Sequence, residues 1–276
     1  MQNIPQNAEE INRLMYHYDN VHQPVPSMDA ITEAHVKQYR EQGFVAVGQV
    51  LNKEQVDGSV AAIMETIFDR ETKVNVQFTK PQDDLKTDEE RELAVRKVFD
   101  FVDFHEELHA IAYHPDIISF VERLLGEEAK LAQNQALLKP PYGGAEKPWH
   151  QDMAYGNVAY DKAVVGVWIA LDEAALDNGC MHVIPRSHMD GGVPHYSVRD
   201  WQICDTNVPV EKDTAIPLQP GGALFFHGLL YHGTPNNFSD QRRRSLQFHY
   251  VPKSAQKLTH AEYKRMFTNE MTSAEC

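Results

Sequence analysis

The sequence is poor in cysteine, and that scarcity limits both its fold and its compartment. Cys180, Cys204 and Cys276 are three among 276 residues, and they are scattered. An odd and scattered set predicts neither a disulfide framework nor a zinc knuckle, and it is typical of the reducing cytoplasm. We therefore expect a cytoplasmic protein.

Long hydrophobic runs and basic clusters are also missing. The longest apolar stretch, residues 163–171, is about half of what a bilayer span needs. The N-terminus has neither the basic region nor the apolar segment of a secretory signal. The formal net charge is −14, which repels phosphate backbones and anionic membranes, and the run Arg242–Arg244 is too short to bind nucleic acid. These features favour a small-molecule partner over nucleic acid or a membrane, and they leave the oligomeric state open.

The N-terminal part of the chain is predicted to be helical. Residues 1–28 are polar and contain three prolines, which indicates an extended arm, and residues 29–276 are long enough for one domain. Helices are predicted over residues 29–42, after Asn52 and after Pro115. Residues 70–95 are charged, and we interpret them as a solvated loop or helix face, with an active-site lid as the alternative.

From residue 131 onward, short apolar or alternating runs are separated by turns that contain proline or glycine. The runs cover residues 131–139, 149–155, 164–171, 181–184, 223–226, 229–232 and 245–251. Many short strands of this kind predict a β-sandwich or barrel. Helices followed by strands predict an α+β fold with a mainly β core.

The run Trp149-His150-Gln151-Asp152 carries the clearest chemical signal. On a strand, His150 and Asp152 point to one face and Gln151 points to the other. An imidazole and a carboxylate on one face supply two ligands of a facial triad, which a second histidine completes. The pattern is weak alone, because the chain has 14 histidines.

A second run supplies the missing ligand and an anion-binding group. His232 lies after the apolar run 223–226, and Arg243 enters the next predicted strand. This arrangement suits 2-oxoglutarate, since one end of that molecule chelates iron and the far carboxylate requires a guanidinium.

These stretches together resemble the phytanoyl-CoA dioxygenase family. The matching residues are Lys139-Pro140-Pro141, Trp149 to Asp152, Trp168 to Asp172, Asn178 to His188 and His232 to Arg243. The resemblance implies a double-stranded β-helix (jelly roll) with flanking N-terminal helices. It also implies Fe(II), the co-substrate 2-oxoglutarate and O₂.

The resemblance assigns roles to individual residues. The implied iron ligands are His150, Asp152 and His232. The implied contacts to 2-oxoglutarate are Arg243, Thr234, Trp168, Gln133 and Lys139. Candidate substrate contacts, which follow mainly from strand alternation, are Gln135, Gln151, Ser245 and Gln247.

The remaining histidines and arginines of these motifs are interpreted as structural or solvated. His188 belongs to a turn, and His182, His227 and His249 are predicted to be structural. Arg242 and Arg244 alternate away from Arg243 and are predicted to be solvated, although a slip of one residue would exchange these roles.

The predicted reaction is hydroxylation of a C–H bond in a small molecule, with release of succinate and CO₂. Hydroxylation is the default because the carboxylate ligand Asp152 is present, and desaturation or ring chemistry stays open. The glutamines and Ser245 favour a small polar substrate over a long acyl-CoA. Two alternatives are a non-catalytic metal-binding jelly roll and a metal-dependent hydrolase.

Overall fold

The computed structural model describes residues 8–270, 273, 275 and 276, so the first seven residues of the predicted arm lie outside the described residues. The N-terminal elements, in order, are α1 (Ala8–Met15), α2 (Glu33–Gln42), β1 (Phe44–Val47), α3 (Lys53–Phe68), β2 (Asn75–Phe78), α4 (Asp88–Ala94), β3 (Val95–Phe99), α5 (Glu106–Ala112) and α6 (Pro115–Leu125). In the part of the chain described, no helix has the length and apolar character required to cross a membrane.

Strands dominate the rest of the chain. They are β4 (Ala129–Lys139), β5 (Lys147–His150), β6 (Val165–Ala170), β7 (Met181–Val183), β8 (His195–Ser197), β9 (Trp201–Ile203), β10 (Thr214–Ile216), β11 (Ala223–His227), β12 (His232–Thr234) and β13 (Arg243–Pro252). The helix α7 (His260–Phe267) follows them.

Local chemistry explains where the predicted helices begin and end. The Asn52 side chain accepts a hydrogen bond from the Gln55 backbone N–H at 2.9 Å, and the Gln55 side-chain oxygen accepts one from the Asn52 backbone N–H at 2.9 Å. This capping box starts α3. Pro115 occupies the first turn of α6. Gly43 and Gly126 end α2 and α6 with left-handed backbone angles that glycine adopts without strain.

The strands form two main antiparallel sheets. The larger sheet has the order β1-β11-β6-β13-β4-β3-β2, and the smaller has the order β10-β7-β12-β5. A separate hairpin joins β8 and β9. The two main sheets share a buried apolar core, as expected for the predicted jelly roll.

The larger sheet is buried on both faces. Its outer face packs against α2, α3, α5 and α6, through side chains that include Tyr39, Ile63, Ile111, Phe120 and Phe248. Its inner face packs against the smaller sheet, through side chains that include Trp168, Met181, Val183, Leu224 and Phe226. The helices therefore support the sheet from behind and leave its inner face for a site.

The predicted extended arm is only partly correct. Residues 8–15 form α1, with Ala8 and Met15 buried at the spacing of one helix face. Tyr16 follows, stacks on Trp149 with ring centroids 5.5 Å apart and donates a hydrogen bond to Glu146 at 2.9 Å. The polar composition and the prolines of residues 1–28 predict an extended chain, and the apolar face of α1 is too short to indicate a helix against that background.

Residues 70–95 are more ordered than a solvated loop. Residues 75–78 form the edge strand β2 of the larger sheet, and α4 begins at a capping box between Thr87 and Glu90. Arg91 on α4 is buried and donates to the Ile67 carbonyl at 2.7 Å. A helix face was among the predicted forms of this segment, whereas the edge strand was not.

One prediction from the cysteines is wrong. Cys204, which follows β9, forms a disulfide with Cys276, and their Cα atoms are 5.3 Å apart, a normal distance for such a bond. Cys180 is buried and free. The two bonded cysteines are 72 residues apart in the sequence, and that spacing gave no signal for pairing. The cysteine content therefore no longer supports a cytoplasmic location.

The contact between Gly166 and Phe226 tests the packing between the sheets. A Cβ at Gly166 in β6 would lie 2.4 Å from Cζ of the buried Phe226 ring. Because this ring also contacts His232, with ring centroids 4.7 Å apart, it has little room to move. We expect Gly166→Ala to destabilise the protein by about 1–3 kcal/mol, as overpacked cores do. Urea unfolding measures the loss, and Gly156→Ala, with no atom within 4 Å of its Cβ, is the control. Equal stability of both variants would contradict this packing.

Candidate metal centre and active site

Three predicted ligands meet where the smaller sheet faces the inner side of the larger one. His150 ends β5, and His232 begins the neighbouring strand β12 directly opposite it. Asp152 opens a short 3-10 turn two residues after His150. All three are buried, and one potential ligand atom from each lies within 4.8 Å of the others. The strand ends earlier than the alternation argument assumed, yet the two side chains still converge.

Hydrogen bonds orient both histidines for metal binding. His150 Nδ1 lies 2.7 Å from the Pro148 carbonyl, and His232 Nδ1 lies 2.9 Å from the Leu230 carbonyl. Since a carbonyl only accepts hydrogen bonds, each Nδ1 carries the proton, and each Nε2 offers its lone pair. The two Nε2 atoms lie 3.3 and 3.5 Å from Asp152 Oδ1. Burial lowers the pKa of His150 to about 3, which keeps its imidazole neutral, as a ligand must be.

The two oxygens of Asp152 have different partners. Oδ1 faces the histidines, whereas Oδ2 accepts from Gln247 Nε2 at 2.9 Å and lies 2.7 Å from His249 Nε2. Burial alone would raise the pKa of this carboxyl, but its interactions with His232, His249 and His150 hold that pKa well below its usual range. Asp152 is thus a carboxylate whose Oδ1 remains available to a metal ion.

Gln247 and His249 therefore have a role that the sequence did not reveal. Gln247 was predicted to contact substrate and His249 to be structural, but both hold a ligand carboxylate. Both follow Arg243 by strand alternation, which could have placed them on the same face. Gln247 also lines the cleft, so its contact with Asp152 does not remove it from the cavity wall.

A cleft with a cavity volume of about 210 Å³, partly open to solvent, contains the triad. The predicted residues that line it are Gln133, Gln135, Lys139, Trp168, Thr234, Arg243 and Gln247. On the inner face of the larger sheet, Gln135 lies opposite Gln247, and Gln247 lies opposite Trp168. The prediction that these polar side chains share one face agrees with this register.

Arg243 is buried in this cleft, and none of the described acidic residues forms an ion pair with it. Its Nη1 donates to Ser245 Oγ at 3.0 Å, and its guanidinium lies 5.4 Å from the centre of the Trp168 ring. Arg243 Nε and Trp168 Nε1 are buried and have no hydrogen-bond partner among the described residues. Burial lowers the pKa of Arg243 to about 10. A buried guanidinium in this state requires an anion, so the cleft fits a carboxylate ligand.

The arginines beside Arg243 point elsewhere. Arg242 is exposed and pairs with Glu92 at 2.6 Å. Arg244 is half-buried and binds Asp172 through two hydrogen bonds of 2.8 and 2.7 Å. Arg244 is therefore not simply solvated as predicted, because Asp172 follows β6 and lies beside it.

Two other predicted residues, Lys139 and Ser245, form their contacts within the protein itself. Lys139 Nζ donates to the carbonyls of Ala145 and Pro235 at 2.6 and 2.5 Å, and burial, with the charge of Arg243, holds its pKa well below its usual range. Ser245 Oγ donates to a carbonyl of β4 and accepts from Arg243, outside the cleft lining. Ser245 therefore orients Arg243 and does not face a substrate.

The substrate contact predicted for Gln151 is wrong. Its side chain is buried outside the cleft, where it donates to the carbonyls of Gly191 and Leu229 and accepts from the Val193 N–H. The extended backbone at Gln151 turns its side chain away from its neighbours in the triad. Its hydrogen bonds join this segment to the loop at residues 191–193 and to the turn before β12.

Several residues of the cleft were not predicted from the sequence. They come mostly from β3 and from the turns after β5, and they are Arg96, Lys97, Phe99, Lys147, Tyr155, Asn157 and Val158. The alternation of Lys97 and Phe99 indicates a strand with these two side chains on one face. That pattern is short, and it directly follows the charged segment 70–95, whose composition does not indicate a sheet.

Comparisons with known proteins agree with this geometry. A profile of the phytanoyl-CoA dioxygenase family matches residues 39–245. A Danio rerio protein, phytanoyl-CoA dioxygenase domain-containing protein 1, is 26% identical over 267 residues, which cover 81% of this chain and 91% of the fish protein. The peroxisomal phytanoyl-CoA dioxygenase of Mus musculus is 27% identical over 78% of this chain and 66% of the mouse protein.

Solved structures show the same fold. EvdO2 from Micromonospora carbonacea var. aurantiaca, complexed with 2-oxoglutarate, superposes with a TM-score of 0.67 at 23% identity, covering 86% of this chain and 97% of EvdO2. The epimerase SnoN, in complex with Fe³⁺, alpha-ketoglutarate and a nogalamycin compound, gives a TM-score of 0.64 at 21% identity, covering 88% of this chain and 91% of SnoN. The carbocyclase SnoK from nogalamycin biosynthesis gives 0.65 at 21% identity, covering 86% of this chain and 89% of SnoK.

The contacts of Asp152 Oδ2 predict a role for His249 in metal binding. We expect His249→Phe, which keeps an aromatic ring but removes the hydrogen bond, to weaken binding of a divalent metal about 10- to 100-fold, as loss of such supporting contacts does. Isothermal titration with Mn²⁺ measures the affinity, and His109→Phe, at an exposed position, is the matched control. Unchanged affinity in a folded His249→Phe protein would show that Asp152 does not need this support.

Proposed function

The chain belongs to the phytanoyl-CoA dioxygenase family, and from this membership and the geometry of the cleft we propose that it is an Fe(II)- and 2-oxoglutarate-dependent oxygenase. The ligands would be His150, Asp152 and His232, two neutral imidazoles and one carboxylate. When bound, the iron, 2-oxoglutarate and O₂ supply the oxidation of a substrate C–H bond, with release of succinate and CO₂.

The observation that carries this proposal is the unpaired Arg243 in the same cleft as the triad. A metal site alone would not require a buried guanidinium without an acidic partner. The far carboxylate of 2-oxoglutarate would satisfy it, with Thr234 and Trp168 Nε1 as further donors at the cleft wall. Ser245 Oγ accepts a hydrogen bond from the guanidinium and orients it. Lys139 donates to the Ala145 carbonyl in the loop between β4 and β5.

Hydroxylation of a small molecule is the reaction that we propose. The carboxylate ligand Asp152 is retained, and the protein contributes positioning and exclusion of water, so no general base is needed. The neighbours SnoK and SnoN are named as a carbocyclase and an epimerase, so this fold also supports other outcomes. Residues 29–276 would form one oxygenase domain, and the cytoplasmic location stays a prediction.

The two alternatives make different demands on the cleft. A non-catalytic metal-binding jelly roll has no need of Arg243. A metal-dependent hydrolase would use the triad without O₂ or 2-oxoglutarate. Succinate formation that requires O₂ therefore separates the oxygenase from both.

We expect Arg243→Met to weaken 2-oxoglutarate far more than it weakens the metal. Removing one partner of a buried charge pair costs on the order of 2–5 kcal/mol. Anaerobic isothermal titration of the metal-loaded protein with 2-oxoglutarate measures the loss. Arg242→Met removes only an exposed pair and is the matched control. The assignment of Arg243 fails if the Arg242 variant loses as much affinity as the Arg243 variant.

Asp152→Ala tests the triad itself. We expect this variant to lose most of its bound iron and its succinate formation, because the carboxylate is one of three protein ligands. Metal analysis and succinate assays measure both losses, and thermal melting controls for folding. Turnover that persists in a folded Asp152→Ala protein would remove Asp152 from the site. Turnover of wild type without O₂ would favour a hydrolase.

A further inference from the structure

The peptide group between two of the proposed metal ligands has a side-chain partner. Gln151 follows His150 and precedes Asp152, and its backbone N–H donates to Nε2 of His195 at 3.0 Å. All four residues are buried, and His195 is not among the residues that line the cleft. Because a peptide group is planar, its orientation determines how the chain carries Asp152 relative to His150. His195 therefore contacts the metal centre through its backbone and not through a ligand side chain.

The ring of His195 is held in the tautomer that this hydrogen bond requires. Its Nδ1 lies 2.8 Å from the Val193 carbonyl. Since a carbonyl only accepts hydrogen bonds, Nδ1 carries the proton, and Nε2 offers its lone pair to the Gln151 N–H. Burial lowers the pKa of His195 to about 4, which keeps the imidazole neutral. The rings of Trp201 and Phe267 pack against it, with centroids 5.9 and 6.2 Å away, so the imidazole has little freedom to turn.

The hairpin that carries His195 also holds the far end of the Asp152 turn. Its strand β8 begins at His195, and its strand β9 begins at Trp201. Trp201 Nε1 donates at 2.9 Å to the carbonyl of Ala154, the last residue of the short 3-10 turn that Asp152 opens. Tyr263 of α7 donates to the same carbonyl at 2.5 Å. The hairpin thus holds the chain before Asp152 through His195 and after it through Trp201.

We propose that His195 is a positioning residue for the metal centre: its Nε2 holds the peptide of Gln151 and thereby keeps the Asp152 carboxylate in place. This inference rests on the proposed metal-dependent function and adds a residue to the groups that support it. Without the imidazole, a buried N–H loses its acceptor, and the peptide must turn or admit water to regain one. Either change displaces Asp152, in a site that tolerates only about half an ångström of error.

The competing explanation is that His195 only fills the space beside Trp201 and Phe267. Two variants separate the explanations. His195→Phe keeps an aromatic ring and removes the acceptor, whereas His195→Gln retains an acceptor, the amide oxygen, close to the position of Nε2. Tyr250→Phe is the matched control, because it removes one buried hydrogen bond, to the Ala112 carbonyl at 2.6 Å, on the outer face of the larger sheet.

Binding of Co²⁺ tests the proposal without turnover. Visible absorption during titration of the metal-free protein with Co²⁺ reports both the affinity and the coordination geometry. We expect His195→Phe to weaken Co²⁺ binding about tenfold, as loss of supporting contacts does, and to shift the absorption bands. His195→Gln should retain most of the affinity and the wild-type bands. Tyr250→Phe should lose thermal stability and keep both, since Tyr250 does not line the cleft.

Wild-type affinity and wild-type bands in a folded His195→Phe protein would overturn the proposal. Equal changes in the Phe and Gln variants would also overturn it, because the presence of an acceptor would then make no difference. If His195→Phe does not fold, His195→Leu removes the acceptor with a smaller side chain, and the same comparison with His195→Gln decides the question.

The Co²⁺ titration also keeps this proposal separate from the oxygenase assignment. A wild-type protein that binds Co²⁺ but not 2-oxoglutarate would contradict the assignment and leave the test of His195 intact. Where 2-oxoglutarate binds, succinate formation at saturating iron, without a substrate, gives a kinetic test. We expect His195→Phe to lower kcat about tenfold with little change in the KM for 2-oxoglutarate, whose far carboxylate would pair with Arg243. A raised KM with unchanged kcat would contradict a role in positioning the metal centre.

Discussion

The divided hydrogen bonding of Asp152 is the interaction on which the site depends. Oδ1 faces His150 and His232 of the smaller sheet, and Oδ2 is held by Gln247 and His249 of the larger one. One carboxylate therefore links the two sheets at the point where a metal ion would bind. Because buried carboxylates are stable only when their oxygens have partners, Gln247 and His249 are what allow Asp152 to stay ionised beside the cleft.

The chemistry of the centre could be predicted because its residues follow local rules. The pattern of His150 and Asp152 needs only two residues of extended chain. Arg243, which the family resemblance marks by its position after His232, is buried and lines the cleft. Capping residues marked the ends of α3 and α6, and the order of the motifs predicted the jelly roll. These features lie in short stretches of sequence, where periodicity is informative.

Contacts between distant strands could not be predicted in the same way. Nothing local to His249 indicates that Asp152, 97 residues away, will accept its hydrogen bond. Lys97 reaches the cleft only because β3 pairs with β4. The disulfide between Cys204 and Cys276 and the packing of Tyr16 on Trp149 also depend on the assembled fold. Gln151 is a case that local pattern could have decided. Alternation along the chain already indicates that its side chain points away from the triad, and the structure places it outside the cleft.

Binding of 2-oxoglutarate to the iron-loaded protein tests the central claim most directly. The triad provides a metal centre with open positions, and Arg243 provides an unpaired cation in the same cleft. Anaerobic addition of 2-oxoglutarate to the Fe(II)-loaded wild-type protein, followed by visible spectroscopy, should produce a weak charge-transfer band that saturates. Succinate lacks the 2-keto group with which 2-oxoglutarate chelates the metal, so it should produce no band. The absence of a band and of measurable binding with 2-oxoglutarate would contradict the account.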